Sequence, residues 1–144
     1  MDGRNWQQIT PRLLPFADIA VCSADSRPRD HRRRAPKDAL SFLLDNGVSW
    51  AAITDGPRPI RWASRVNGIQ PDIPVPVVVV ADTLGAGDVF CGALMHAIAA
   101  QPVADDESFG AALQFAAGVA AYSCQTFGTR AWMNSWPGRR EILP

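Results

Sequence analysis

The chain has 144 residues, 47% of them hydrophobic and 19% charged, which is material for one globular domain and excludes both a disordered tail and two full catalytic domains. Fourteen Lys and Arg balance fourteen Asp and Glu, so no overall field recruits nucleic acid or an anionic membrane. Three widely spaced cysteines, Cys22, Cys91 and Cys124, contain no C-x-x-C pair and suggest neither a disulfide framework nor a zinc knuckle.

The first residues, Met1 to Trp6, lack the basic start and apolar core of a secretion signal. The most apolar stretch, Val75 to Ala81, is far short of the roughly 20 residues a membrane helix needs, and Pro74 and Pro76 interrupt its start. A cytoplasmic protein without membrane or nucleic-acid partners is expected.

Asp18-Ile19-Ala20-Val21-Cys22 is short and apolar between polar flanks, the pattern of a strand buried on both faces. Residues Arg27 to Lys37 carry six basic side chains and two prolines, cannot bury a face, and predict a solvated loop rather than a nucleic-acid footprint. From Asp38, the spacing of Ala39, Leu40, Phe42, Leu43 and Leu44 is helical, and Asn46-Gly47 supplies a stop. Trp50 to Thr54 predicts a second buried strand, closed by the turn chemistry of Asp55-Gly56-Pro57. Ile60 to Ala63 and the four-valine run Val77 to Val80 are further strand candidates, since β-branched side chains favour extended backbone.

Gly85 to Ala100 reads as a glycine-rich turn feeding a helix whose apolar face holds Phe90, Ala93, Leu94, Ala97 and Ile98, with Pro102 beyond its end. Asp105 to Ser108 offers capping oxygens for another helix over Phe109 to Tyr122. Gln125 to Arg130 is a loop, followed by a Trp-containing tail with a turn around Arg139 to Leu143. Strands alternating with helices predict an α/β layered fold with a mainly parallel sheet flanked by helices.

The chemistry concentrates in Asp82-Thr83-Leu84-Gly85-Ala86-Gly87-Asp88-Val89-Phe90. A strand delivers this segment and a helix leaves it. Gly85, Ala86 and Gly87 let backbone approach a ligand closely, and amides at a helix N-terminus favour an anion. Asp88 would repel a phosphate already held there, a placement that fits a general base accepting the proton of an attacking hydroxyl. A strand-to-helix turn that merely needs glycines and an acidic cap is the plain structural alternative.

The segment resembles the D-T-x-G-A-G-D-x-F motif of the ribokinase-like, or PfkB, carbohydrate kinases, and fits it without a substitution through Gly92-Ala93-Leu94. Leu13-Leu14-Pro15 with Asp18 to Ser23 resembles that family's strand before the nucleotide loop, and Thr54-Asp55-Gly56 its T-x-G turn. The resemblance implies a partial ribokinase-like fold and a kinase in which Asp88 is the base, the amides of Gly85, Ala86 and Gly87 form the anion hole, and Mg-ATP is the donor. It further implies that Thr54, Gly56 and Thr83 lie near the ATP phosphates, that the loop of Cys124, Phe127 and Gly128 flanks the adenine, and that a monovalent cation, K+, sits beside Asp82.

Two departures accompany it. Where many members carry N-x-x-E after the first strand, this chain reads Ser23-Ala24-Asp25-Ser26, and Pro57-Arg58-Pro59 follows the T-x-G turn where a further glycine is usual. Both imply weaker handling of magnesium and nucleotide. The family's chains are longer, and residues 1–144 correspond to the C-terminal, nucleotide-binding half, without the N-terminal sugar-binding half. Two readings follow: an ATP-dependent sugar kinase acting within a complete protein, as a homo-oligomer or with a chain supplying the missing half, and a noncatalytic nucleotide-binding remnant or interaction subunit.

Overall fold

The computed structural model describes residues 10–26 and 36–137. The chain divides into two compact units, Met1–Pro74 and Val75–Pro144. The first holds a short helix α1 (Thr10–Leu13), strand β1 (Ile19–Ser23), helix α2 (Pro36–Asp45), and strands β2 (Trp50–Asp55), β3 (Arg58–Ser64) and β4 (Gly68–Ile69). The strands form one sheet in the order β1-β2-β3-β4.

β1 pairs with β2 in parallel, from Ile19 opposite Trp50 to Ser23 opposite Thr54. The β2–β3 and β3–β4 pairs are antiparallel. The sheet is therefore mixed, which corrects the mainly parallel expectation. The antiparallel half arises because β2 and β3 are joined by the tight turn at Gly56-Pro57, whereas a parallel connection needs a crossover such as α2.

α2 packs on the sheet through Ala39, Leu40 and Leu43, which join Leu14, Val48, Ala51, Ile53 and Ala63 in one buried cluster. The helix stops in a Schellman motif: Val48 donates to the Leu43 carbonyl at 3.4 Å and Gly47 to the Leu44 carbonyl at 3.1 Å. Gly47 is required twice over, by its φ of 111° and because a Cβ there would lie 2.8 Å from the Pro15 Cα. The following chain is fixed as Ser49 and Trp50 both donate to the Asp18 carbonyl, at 2.9 and 3.0 Å, which starts the β1–β2 pairing.

The second unit is built on helices α3 (Ala86–Ala100) and α4 (Asp106–Ser123), which pack against each other. Across that contact the rings of His96, which is exposed, and Phe115 lie 6.2 Å apart. α4 begins in a capping box: Asp105 Oδ1 accepts from the Ser108 amide at 2.8 Å while Ser108 Oγ accepts from the Asp105 amide at 3.1 Å. Its buried residues are mostly small, with Ala112, Ala116, Ala117 and Ala121 beside Phe109, Leu113 and Val119, which lets neighbouring backbone come close. After the loop, Trp132 is buried, and Trp136 meets Tyr122 and Trp132 edge-on at 4.9 and 6.1 Å.

Two further expectations change. Val77 to Val80 pairs with no strand among the described residues, and Val77, Val79 and Val80 are exposed. β-branched side chains favour extended backbone, but a strand exists only when a neighbour completes its ladder. Of the basic stretch, residues 27–35 lie outside the described residues, while Pro36 and Lys37 open α2 instead of closing a loop. The turn expected around Arg139 to Leu143 also lies outside them.

Candidate active site

The motif occupies the turn that enters α3. Gly85 is the N-cap, with φ 79° and ψ 2°, a left-handed conformation that favours glycine. Ala86, Gly87 and Asp88 are the first three helical residues, and the first intrahelical bond runs from the Val89 amide to the Gly85 carbonyl at 2.9 Å. The Ala86 amide donates to the Thr83 carbonyl at 3.2 Å, which closes the turn. The Gly87 and Asp88 amides precede the first intrahelical bond, and both residues are exposed. Anions are stabilised at such a position by the free amides and the helix dipole.

The Asp88 carboxylate has no hydrogen-bond or ion-pair partner among the described residues. At Gly87 an added Cβ would meet nothing within 4 Å, so packing within the chain does not demand glycine there. At Gly85 the added Cβ would come 3.4 Å from the Thr129 Cγ2, and φ already favours glycine.

Asp82 ties this turn to the loop after α4. Its Oδ1 accepts from the Leu84 amide at 2.9 Å and its Oδ2 from the Gly128 amide at 3.1 Å. These bonds, Leu84 first and Gly128 second, hold its carboxyl below the ordinary carboxylate value. The Cys124 carbonyl accepts from the Ala81 and Asp82 amides at 2.8 and 3.1 Å. Gly128 is left-handed, with φ 90°, and Phe127 beside it is exposed.

The second unit thus brings Asp82, Thr83, Gly85, Ala86, Gly87 and Asp88 into one turn, with Cys124 and Gly128 bonded to its start. Thr54 and Gly56 belong to the first unit. Thr54 sits where the β2–β3 register shifts between Ile53 and Asp55, and Gly56 has φ 56° in the adjoining turn. There Arg58 Nε donates to Asp55 Oδ2 at 2.7 Å, closing the turn with a charged pair. Thr129, whose carbonyl accepts from Trp132 Nε1 at 3.0 Å, is a site residue that sequence reasoning missed. Only the fold reveals it, because nothing in Gly128-Thr129-Arg130 announces contact with residue 85.

Burial pushes the Cys22 thiol up to about 11, which keeps it protonated near neutral pH. Cys91 is exposed and Cys124 buried, and both are free thiols. Among the described residues no group of three His, Cys, Asp or Glu side chains is placed to hold a metal ion, and no helix is long and apolar enough to cross a membrane.

The sequence matches the pfkB family carbohydrate kinases over residues 12–136. The chain belongs to that family. It is 32% identical to a mouse (Mus musculus) ribokinase over 104 residues, covering 72% of this chain and 30% of that protein. The structure of aminoimidazole riboside kinase from Salmonella enterica, complexed with aminoimidazole riboside and an ATP analogue, superposes with a TM-score of 0.71 at 25% identity, over 91% of this chain and 46% of that one. Ribokinase from Thermotoga maritima gives 0.75 at 22% identity, over 94% and 44%, which shows the fold. The pfkB-family member described here has the partial ribokinase-like α/β fold expected of it, and spans less than half the length of these relatives.

Proposed function

We propose that this chain is the nucleotide-binding, C-terminal half of an ATP-dependent sugar kinase. The observation that carries the reading is the entrance of α3, where an unpartnered Asp88 carboxylate stands beside solvent-facing amides and a Gly87 that the chain's own packing does not require. Bound Mg-ATP would supply the transferable phosphoryl group, with magnesium offsetting its charge. The amides at the start of α3, Gly85 to Gly87 in the motif, would hold the anion and stabilise charge developing on it. Asp88 would accept the proton of the sugar hydroxyl. The loop of Cys124, Phe127 and Gly128 would flank the base of the nucleotide, with Thr83 near the phosphates.

The donor set fits these groups unequally. No resident divalent site is built by side chains among the described residues, so magnesium would arrive with the phosphates. The Asp82 carboxylate already accepts the Leu84 and Gly128 amides, so a weakly held K+ would share its remaining lone pairs.

The substrate class is a small sugar or sugar-like alcohol, following the family. A second reading is a noncatalytic nucleotide-binding remnant, for which the exposed Val77, Val79 and Val80 would serve as an association edge. A base and an anion hole alone do not position the attacking hydroxyl, and positioning supplies much of the rate. A polypeptide supplying the rest of the domain, or a second copy of this chain, would then be the partner.

Calorimetric titration with Mg-ATP and turnover assays on a panel of sugars separate the readings. Asp88→Asn should bind Mg-ATP within a few-fold of the parent and abolish any phosphoryl transfer, whereas Gly87→Val should weaken binding at least tenfold. Full turnover by Asp88→Asn sinks the base assignment. Binding without turnover in the parent chain supports the remnant.

A further inference from the structure

The second unit contains a connection that the motif alone does not explain. Asp82 lies before the turn and takes no part in α3, yet its carboxylate receives one amide from each of two segments: Leu84, two residues on, and Gly128, 46 residues on. The same two segments meet twice more. The Cys124 carbonyl receives the Ala81 and Asp82 amides, and the Thr129 methyl group stands against Gly85, 3.4 Å from where a Cβ would be. Trp132, buried, holds Thr129 from behind through its indole N–H. The Cys124 and Thr129 contacts fix the ends of this junction, and among the described residues Asp82 joins its middle through a side chain.

We infer that Asp82 is a positioning residue, which locks the loop of residues 124–129 onto the turn of residues 82–85 and thereby sets the direction of the first amides of α3. The inference rests on the proposed nucleotide site and deepens it: the loop assigned to the nucleotide base and the turn assigned to its phosphates become one body. An ionised carboxylate suits the task, because a charged acceptor strengthens both N–H bonds and can receive them on separate oxygens. Asparagine offers one acceptor oxygen, and its NH2 group would face the other N–H donor. Alanine offers none.

Amide hydrogen exchange resolved by NMR tests the lock without any ligand. In Asp82→Ala the Leu84 and Gly128 amides should both exchange at least threefold faster, and in Asp82→Asn one of the two should retain its protection. The Leu113 and Val119 amides in α4 should keep their rates in both variants, which separates loss of the lock from general unfolding. Exchange at parental rates for both Leu84 and Gly128 overturns the inference. If Asp82→Ala fails to fold, Asp82→Asn decides by the same criterion.

The positioning role is read from Mg-ATP titrations followed on the Gly87 and Asp88 amide signals. Affinity should fall about tenfold in Asp82→Ala and be partly restored in Asp82→Asn. Faster exchange with unchanged affinity would leave a structural tie and overturn positioning. A parent chain that shows the lock and ignores Mg-ATP would overturn the nucleotide reading, and positioning with it, while the exchange result stands.

Discussion

Around α2 and its sheet, Leu40, Val48, Ala51, Ile53, Ile60 and Ala63 are each 1% exposed or less, whereas α3, an even more apolar segment, buries only Phe90 and Leu94. Met95 on α3 and the valines before it face solvent. Both units bury a core, the second on α4 around Phe109 and Leu113, each fully buried. The second also holds the turn into α3 by backbone and carboxylate hydrogen bonds and leaves Val77, Val79, Val80, Leu84 and Met95 exposed. The unpaired valine run is an extended apolar segment of the kind that pairs with a further strand.

Replacing core side chains should give the largest effects. Leu40→Ala and Ile53→Ala are expected to cost about 2–5 kcal/mol, by transfer and cavity terms, in denaturant unfolding. Val79→Ala is expected to stay within about 0.5 kcal/mol, as an exposed substitution without special contacts. Equal losses at Val79 and Ile53 would erase the contrast between the units.

The glycines sharpen it. Gly47→Ala combines a positive φ with a clash against the Pro15 backbone and should destabilise by about 1–3 kcal/mol. Gly87→Ala, in open space at a helical position, should be neutral or stabilising by up to about 1 kcal/mol in the same assay. A severe folding defect at Gly87 would assign that glycine to structure and weaken its functional reading.

The valine run offers a test through association. Val77→Lys with Val79→Lys should leave the melting temperature nearly unchanged and lower self-association with rising concentration, measured by sedimentation velocity, since edge charges oppose strand pairing. The same association state with and without both lysines would contradict the valine run as an associating edge.

The smallest effect is electrostatic. The Ser108 amide and hydroxyl hold the Asp105 carboxyl below its ordinary value of 3.8. A group with a depressed folded-state pKa contributes stability that is complete above its unfolded value and fades as pH falls through the folded one. The stability difference between the parent and Asp105→Asn should therefore be constant near neutral pH and shrink only below about pH 4. A difference that grows on acidification would contradict the cap.

Much of this architecture is legible in the sequence because local signals agree with the fold. The α2 stop at Asn46-Gly47, the buried strand at Trp50 to Thr54 and the cap at Asp105 each rest on neighbouring residues, and each appears where its chemistry puts it. Val77 to Val80 shows the limit: side-chain preference is local, but pairing requires a partner that residue type does not reveal. The β2–β3 bulge and the two-residue β4 depend on long-range register in the same way. At the candidate site, the glycines and Asp88 are readable from one segment, whereas the Asp82–Gly128 bond and the Thr129 contact join segments that only folding brings together.

Thermal unfolding with and without Mg-ATP tests the central claim, that the entrance of α3 is a nucleotide site, most directly. A ligand that binds only the native state adds RT ln(1 + [L]/Kd), about 2.7 kcal/mol at a hundredfold excess over Kd. The transition should be cooperative, move upward with Mg-ATP in the parent and Asp88→Asn, and move clearly less in Gly87→Val. A cooperative melt in the parent that Mg-ATP leaves unmoved would contradict it.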